Sequence, residues 1–173
     1  MWRSCARLSR NVSAMESAPD IELAAHEAWE RGDFERAFLL FRRCAELGQV
    51  GCMLDLGYFY DEGVGVEQNK DEAMSWYKRA YRLGDSAAAS NIAILYREQG
   101  RVRLERQWFE RSAALGDGDS GLELAKLHLR ERGVQRSREK AIELLSSAVR
   151  SESITEAGRE EAVALLRELE NTR

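Results

Sequence analysis

Residues 48–84, GQVGCMLDLGYFYDEGVGVEQNKDEAMSWYKRAYRLG, decide the fold of this chain. Apolar residues recur at helical spacing in the first half, at Cys52, Leu56, Phe59 and Tyr60. The glycine cluster GVG at 63–65 interrupts that pattern, because glycine readily takes the positive φ of a helix end. The stretch predicts a first helix over roughly 51–62, a turn, and a second helix over roughly 70–83 that ends at Gly84.

The small-residue, Leu-Gly ending of this stretch recurs along the chain. CAELG at 44–48, AYRLG at 80–84 and SAALG at 112–116 end on glycines that are 36 and 32 residues apart. Repeats of this length indicate stacked helical hairpins, since one hairpin cannot bury both of its faces. The sequence predicts a tail, four units and a remainder: 1–16, 17–48, 49–84, 85–116, 117–152 and 153–173.

Large residues recur in the second helix of each unit, and small residues in the first. The large ones form the pairs Leu40–Phe41, Trp76–Tyr77, Trp108–Phe109 and Leu144–Leu145. Gly57, Ala93 and Ala125 permit a close approach of the two helices. We expect Trp76 or Trp108 to fill the remaining space, so that Trp76→Ala costs about 3–5 kcal/mol of stability.

Composition and charge narrow the class of protein. Hydrophobic residues make up 44% of the 173 residues and charged residues 32%, and Pro19 is the one proline, which favours an all-α fold. The net charge is −4, and after the first 15 residues the chain holds 23 basic and 30 acidic residues. An acidic body excludes nucleic acid as the main partner. No stretch reaches the roughly 18 apolar residues of a membrane span.

The N-terminal segment and the cysteines indicate which cellular compartment to expect for the protein. Residues 1–16 are expected to be a disordered or processed tail, and Met15 is an alternative start. The first 15 residues contain arginine and serine but no acid, which also fits an organelle transit peptide. The three cysteines fit no zinc spacing. Cys44 and Cys52 lie on apolar helix faces, and we expect reduced core residues in a cytoplasmic protein, with an organelle as the alternative.

The unit at 48–84 resembles a Sel1-like repeat almost position for position. The matching residues are Leu56–Gly57, Tyr60, Gly63, Gly65, Val66, Ala73, Trp76–Tyr77, Ala80 and Gly84. Unit 117–152 keeps Gly133–Val134 and Ala141, whereas units 17–48 and 85–116 have shorter turns, closer to tetratricopeptide repeats. The resemblance implies a right-handed superhelical solenoid of helix-turn-helix repeats, whose first helices line a concave groove, and a role as an adaptor or scaffold.

Residues for catalysis are not grouped in the sequence. His26 and His128 are the only histidines, and they fall in the first and last units. The sequence GVGV at 63–66 follows a helix rather than a strand and lacks the lysine-serine ending of a phosphate-binding loop. We expect no enzyme activity, no metal and no other cofactor.

The groove is the candidate binding site. Its lining, mapped in phase on the first helices, is Trp29, Leu54, Tyr58, Asp61, Glu62, Ile94, Arg97, Glu98, Leu122 and Lys126. The apolar members are expected to form a floor with Trp29 as an anchor. The acidic members, together with Glu30, are expected to form an edge that favours a basic or helical ligand.

The sequence therefore predicts an adaptor that grips a peptide or helix of a partner protein. Two alternatives stay open: self-association into a weak homo-oligomer, and a regulatory subunit that masks one cognate protein. The amphipathic segment 153–173 is expected to cap the last repeat, or else to leave the body as an interaction helix.

Overall fold

The computed structural model describes residues 17–130 and 138–171, which contain nine α-helices and no β-strand. The helices in chain order are α1 (Ala18–Glu30), α2 (Phe34–Glu46), α3 (Val50–Glu62), α4 (Lys70–Arg82), α5 (Ser86–Glu98), α6 (Val102–Ala114), α7 (Gly118–Leu129), α8 (Arg138–Arg150) and α9 (Glu156–Asn171). The predicted all-α repeat fold is confirmed. The expectations for the tail at 1–16 and for Gly133–Val134 lie outside the described residues.

The chain divides into two compact units, residues 1–83 and 84–173. From here on we call these the first unit and the second unit, and they are distinct from the four shorter repeats predicted from the sequence. The first unit contains α1 to α4, and each helix packs on the next one along the chain. The second unit contains α5 to α9, which pack in the same sequential way, and α9 also contacts α7. Helical hairpins that lean on their neighbours therefore build both units.

Polar caps and glycine turns set the ends of the helices. Asn69 begins α4 by accepting hydrogen bonds from the backbone N–H groups of Asp71 and Glu72, both at 3.1 Å. Gly65 has a φ of 65°, and a Cβ atom there would overlap the backbone carbonyl group of Phe34. The turn after α3 therefore requires glycine both for its backbone angle and for its contact with the start of α2.

The close approach of α3 and α4 depends on Tyr77 and Gly57. Tyr77 is 1% exposed, and a Cβ atom on Gly57 would lie 2.5 Å from its ring. The expectation that Trp76 fills this space is wrong. Adjacent helical residues point about 100° apart, so only one member of the pair faces α3. Trp76 is half-buried instead, with the guanidinium carbon of Arg79 4.4 Å from its ring centroid.

The second member of every large pair is buried in the same way. Phe41, Phe109 and Leu145 are at most 1% exposed, as is Tyr77. The small residues Ala93 and Ala125 are fully buried in their first helices. The repeat in the sequence thus corresponds to a repeated packing arrangement.

The core of the second unit includes α9. Its central cluster consists of Leu122, Ala125, Ala141, Leu145 and Ala162. Thr155, just before α9, donates its hydroxyl hydrogen to Asp119 Oδ1 at 2.8 Å, and its backbone N–H bonds Asp119 Oδ2 at 3.0 Å. Leu122 is 2% exposed and cannot form part of an exposed floor, because its side chain belongs to this core.

Cys44 and Cys52 form a disulfide bond. Both are fully buried, as expected, but the prediction that they are reduced is wrong. Cys44 lies in the last turn of α2 and Cys52 in the first turn of α3, and the turn at Gly48 brings their Cα atoms to 5.8 Å. That distance is typical of disulfides, so the chain reversal supplies the geometry that the spacing alone did not reveal.

Candidate partner-binding surface

An aromatic cluster lies on the first helices of the first unit. Trp29 on α1 stacks on Tyr58 of α3, with ring centroids 5.6 Å apart. Trp29 also meets the fully buried rings of Phe41 and Phe59 edge-on, at 5.8 and 5.2 Å. Tyr58 remains 40% exposed. The cluster therefore presents an outer ring held in place by buried rings.

His26 extends this arrangement along α1. Its ring is nearly parallel to Trp29, at an interplanar angle of 16° and a centroid distance of 6.3 Å. His26 Nε2 lies 3.5 Å from Asp55 Oδ2. Three rings thus form a row across α1 and α3, with a carboxylate beside one end.

Helical spacing explains why these side chains meet. His26 and Trp29 are three residues apart on α1, and Leu54, Tyr58 and Glu62 follow at intervals of four on α3, so each set shares one helix face. Trp29 and Leu54 are partly buried, and Glu62 is exposed. We call this surface the α1–α3 face, and it consists of His26, Trp29, Leu54, Asp55, Tyr58 and Glu62.

Charge is segregated between the helices of the first unit. Together α1 and α3 carry seven carboxylates and no lysine or arginine, whereas α2 and α4 carry seven lysines or arginines and four carboxylates. Arg31, just after α1, pairs with Glu27 at 3.0 Å. The first helices of this unit therefore create a negative potential at the ring row.

Asp61, expected in the acidic edge, is an internal group. It is 8% exposed, accepts a hydrogen bond from Tyr77 Oη at 3.2 Å, and pairs with Lys70. Burial raises the pKa of Tyr77 well above its ordinary value, and the adjacent Asp61 carboxylate raises it further. Tyr77 therefore stays protonated as the donor, and we leave Asp61 out of the binding surface.

Charged residues predicted for the groove in the second unit are paired within the chain. Arg97 Nε donates to Glu105 Oε1 at 2.6 Å, and its terminal nitrogen bonds Glu123. Lys126 pairs with Glu123 and, at 3.1 Å, with Glu161. Burial raises the pKa of Glu123, but hydrogen bonds from Lys126 and Arg97 outweigh it, so its pKa lies below the ordinary value.

The structure therefore sorts the predicted residues into groups. Trp29, Leu54, Tyr58 and Glu62 share the α1–α3 face. In the second unit Ile94 is 40% exposed and Glu98 is exposed. Asp55 was not predicted to line the groove. The in-phase mapping placed His26 in the lining with Tyr58, but His26 was not among the predicted binding residues.

Features that could support chemistry are limited in the described residues. Ligand atoms of Glu22, Cys44 and Cys52 lie within 4.8 Å of one another, but the two sulfurs are bonded to each other. A cleft of about 300 Å³ in the second unit is lined mainly by small residues, and Asp117 and Arg150 are its ionisable ones. Asp117 is already the cap of α7, accepting from the Ser120 N–H at 2.9 Å.

None of the described helices is both long and apolar enough to cross a bilayer.

The fold and this surface define a class of protein. Hairpins with a small residue in the first helix, a buried large residue in the second and glycine turns between them form a helical-repeat protein. The Sel1 repeat family model matches residues 30–49, 50–85, 106–117 and 122–153, which together make up more than half of the chain. The chain therefore belongs to the Sel1 repeat family, whose repeats generally serve as protein-interaction scaffolds.

A sequence relative shares only a small part of its length with this chain. The chitin synthase regulator SKT5 of Malassezia restricta is 37% identical over 59 residues, which is 34% of this chain. The match spans 4% of that regulator's length.

Two solved structures have the same fold. The Sel1 repeat protein of Oxalobacter formigenes matches 90% of this chain and 64% of its own, with a TM-score of 0.76 and 19% identity. The protective antigen c5321 of uropathogenic Escherichia coli, which displays an SLR fold, matches 87% of this chain and 33% of its own, with a TM-score of 0.72 and 23% identity. At these identities the likeness concerns the fold alone.

Proposed function

We propose that this chain is a non-catalytic protein-binding module whose α1–α3 face holds a basic peptide or helical segment of a partner protein. The observation that carries the proposal is the exposed ring of Tyr58, stacked on Trp29. These rings lie on two helices with seven carboxylates and no lysine or arginine. The general role of Sel1 repeats as interaction scaffolds supports it.

The physical properties of the α1–α3 face suit a specific but open contact. Aromatic side chains supply much of the binding energy at protein interfaces, because a large apolar area is buried at little cost in conformational entropy. The carboxylates raise the association rate of a basic segment and oppose acidic ones. Because Trp29 rests on buried rings, it is positioned before the partner arrives.

Affinity capture from the native cell, compared between matched variants, tests this proposal. Tyr58→Ala should remove the captured partner, since it deletes the exposed ring. Leu83→Ala is the control, because Leu83 is 57% exposed and lies beyond the end of α4. Loss of the partner with Leu83→Ala alone, or its full retention in Tyr58→Ala, would show that another surface binds.

Self-association is the second candidate, and the charge segregation of the first unit favours it. The acidic α1 and α3 of one copy complement the basic α2 and α4 of another. Light scattering of the purified chain from micromolar to millimolar concentration distinguishes the two. A mass that rises with concentration and falls with added salt supports self-association, and a constant monomer mass excludes it.

A further inference from the structure

We propose that the α1–α3 face recognises an arginine of the partner, whose guanidinium stacks on the ring of Tyr58. This inference rests on the proposed function and names the chemistry by which that surface selects its segment. The α1–α3 face would then recognise one arginine side chain by its planar, charged guanidinium. The residues next to that arginine would be attracted only by their overall positive charge.

Arginine side chains lie over several aromatic rings of this chain. Five arginines of the described residues lie over rings, with the guanidinium carbon 4.4 to 5.8 Å from the centroid. The pairs are Arg42 on Phe38, Arg79 on Trp76, Arg97 on Phe109, Arg101 on Tyr96 and Arg111 on Trp108. These contacts occur in both units, so an arginine stacked on a ring recurs in this fold.

Trp29 and Tyr58 are among the described rings that carry no such arginine, and so is Phe34, which is 43% exposed. Trp29 and Tyr58 differ from Phe34 in that they stack on each other across two helices without a lysine or arginine. Within the described ranges, no arginine or lysine lies over either ring. Tyr58 is nevertheless 40% exposed, with Trp29 stacked against it. Since α1 and α3 contain no lysine or arginine, neither of these helices supplies a cation to the ring of Tyr58.

Two carboxylate residues share the side of α3 on which Tyr58 lies. Asp55 precedes Tyr58 by three residues and Glu62 follows it by four, so both lie on the same side of α3 as the ring. A cation over the ring is therefore within about one helical turn of two carboxylates. The quadrupole of the ring and the negative charge act on it in the same direction.

Arginine fits this site better than lysine. The guanidinium is planar, so it stacks on an aromatic face while its edge hydrogens remain free to bond carboxylates. An ammonium group is compact and strongly hydrated, and it loses more of its hydration on contact with a ring. The site therefore discriminates by shape as well as by charge.

A selection from random peptides tests the inference with a defined probe. Fifteen-residue peptides displayed on phage are selected on the immobilised full chain and counter-selected on Tyr58→Leu, which keeps apolar volume at position 58 but has no ring. Each enriched peptide is then synthesised with its arginines replaced one at a time by citrulline, which is neutral and nearly isosteric, or by lysine. Affinities are measured for the wild type, Tyr58→Phe and Tyr58→Leu, after circular dichroism has confirmed that the variants are helical.

The inference predicts that one arginine dominates. Its replacement by citrulline should weaken binding about tenfold or more and by lysine about threefold or more, on wild type and Tyr58→Phe alike, with no such difference on Tyr58→Leu. Peptides that need Tyr58 but no arginine, or that accept lysine equally well, overturn the inference and leave the proposed function standing. Failure to enrich any peptide over the counter-selection overturns both.

Discussion

Tyr77 packs between the two helices of the α3–α4 hairpin. Its ring fills the space beside Gly57, and its hydroxyl is fixed by Asp61, which Lys70 neutralises. One side chain therefore combines close packing with a buried polar network in which the charge of the carboxylate is compensated. Because the network lies inside the α3–α4 hairpin beside its turn, substitutions at these positions should act on stability rather than on binding.

Gly57→Ala should destabilise the fold by about 1–3 kcal/mol, since its methyl group would overlap the buried ring of Tyr77. Gly51→Ala in the same helix is the matched control, because a Cβ there meets only the end of the Glu22 side chain, at 2.9 Å. Urea denaturation followed by circular dichroism gives both values. Equal stability of the two variants would contradict the packing described for Tyr77.

Tyr77→Ala should cost about 3–5 kcal/mol of stability, the loss that the sequence alone had suggested for Trp76→Ala. Trp76→Ala should cost clearly less, because Trp76 is only half-buried and its outer face carries Arg79. The ratio of the two losses in the same denaturation assay checks the assignment. A larger loss of stability for Trp76→Ala than for Tyr77→Ala would show that Trp76 fills the space between α3 and α4.

Helices of the second unit are joined by charged side chains as well as by apolar contacts. Arg97 on α5 bonds Glu105 on α6 and Glu123 on α7, and Lys126 on α7 reaches Glu161 on α9. Glu105 is 3% exposed, so its pairing with Arg97 is needed to avoid an uncompensated buried charge.

Acid should weaken this unit through Glu123. Its pKa lies below the ordinary 4.5, so its contribution to stability is complete above about pH 4.5 and is lost as the pH falls through the folded-state pKa. Glu123→Gln should destabilise the chain by about 1–3 kcal/mol at pH 7 and progressively less below pH 4.5. Denaturation of both proteins from pH 7 to pH 3 measures the difference, and a constant gap would rule out this role for Glu123.

The disulfide joins the end of α2 to the start of α3, across a separation of eight residues. A loop of this length corresponds to about 2–3 kcal/mol of stabilisation in the chain-entropy description. Replacing both Cys44 and Cys52 by alanine should therefore lower the free energy of unfolding by that amount, and urea denaturation measures the change. Mass spectrometry of the unreduced, alkylated chain should find Cys44 and Cys52 unalkylated, and alkylation of both would contradict the bond.

At the level of the whole molecule, repetition made the fold predictable. The helix ends, the glycine turns and the buried small residues follow from local patterns that repeat along the chain. The disulfide was not predictable, because it depends on how a chain reversal orients two helix ends. The roles of Leu122 and Asp61 depend on neighbours that are distant in sequence, Ala162 and Tyr77, and in-phase mapping of single helices does not contain that information.

The α1–α3 face was predictable in part, because the helical periodicity that repeats along the chain also determines which residues share a face. The phase of α1 and α3 placed Trp29 and Tyr58 on the first-helix side, and their stacking follows from the register between hairpins. The pairing of Arg97 and Lys126 with acids of other helices could not be read from one helix at a time. The first unit is therefore left with an acidic, aromatic surface, whereas charges on the first helices of the second unit are largely compensated within the chain.

Backbone NMR of the full chain, titrated with a peptide from the library selection, tests most directly whether the α1–α3 face binds the partner. Shifts of the backbone amide signals should concentrate in residues 18–30 and 50–62 and diminish with Tyr58→Leu. Shifts concentrated in 34–46 and 70–82, or in the unit at 84–173, would contradict the account.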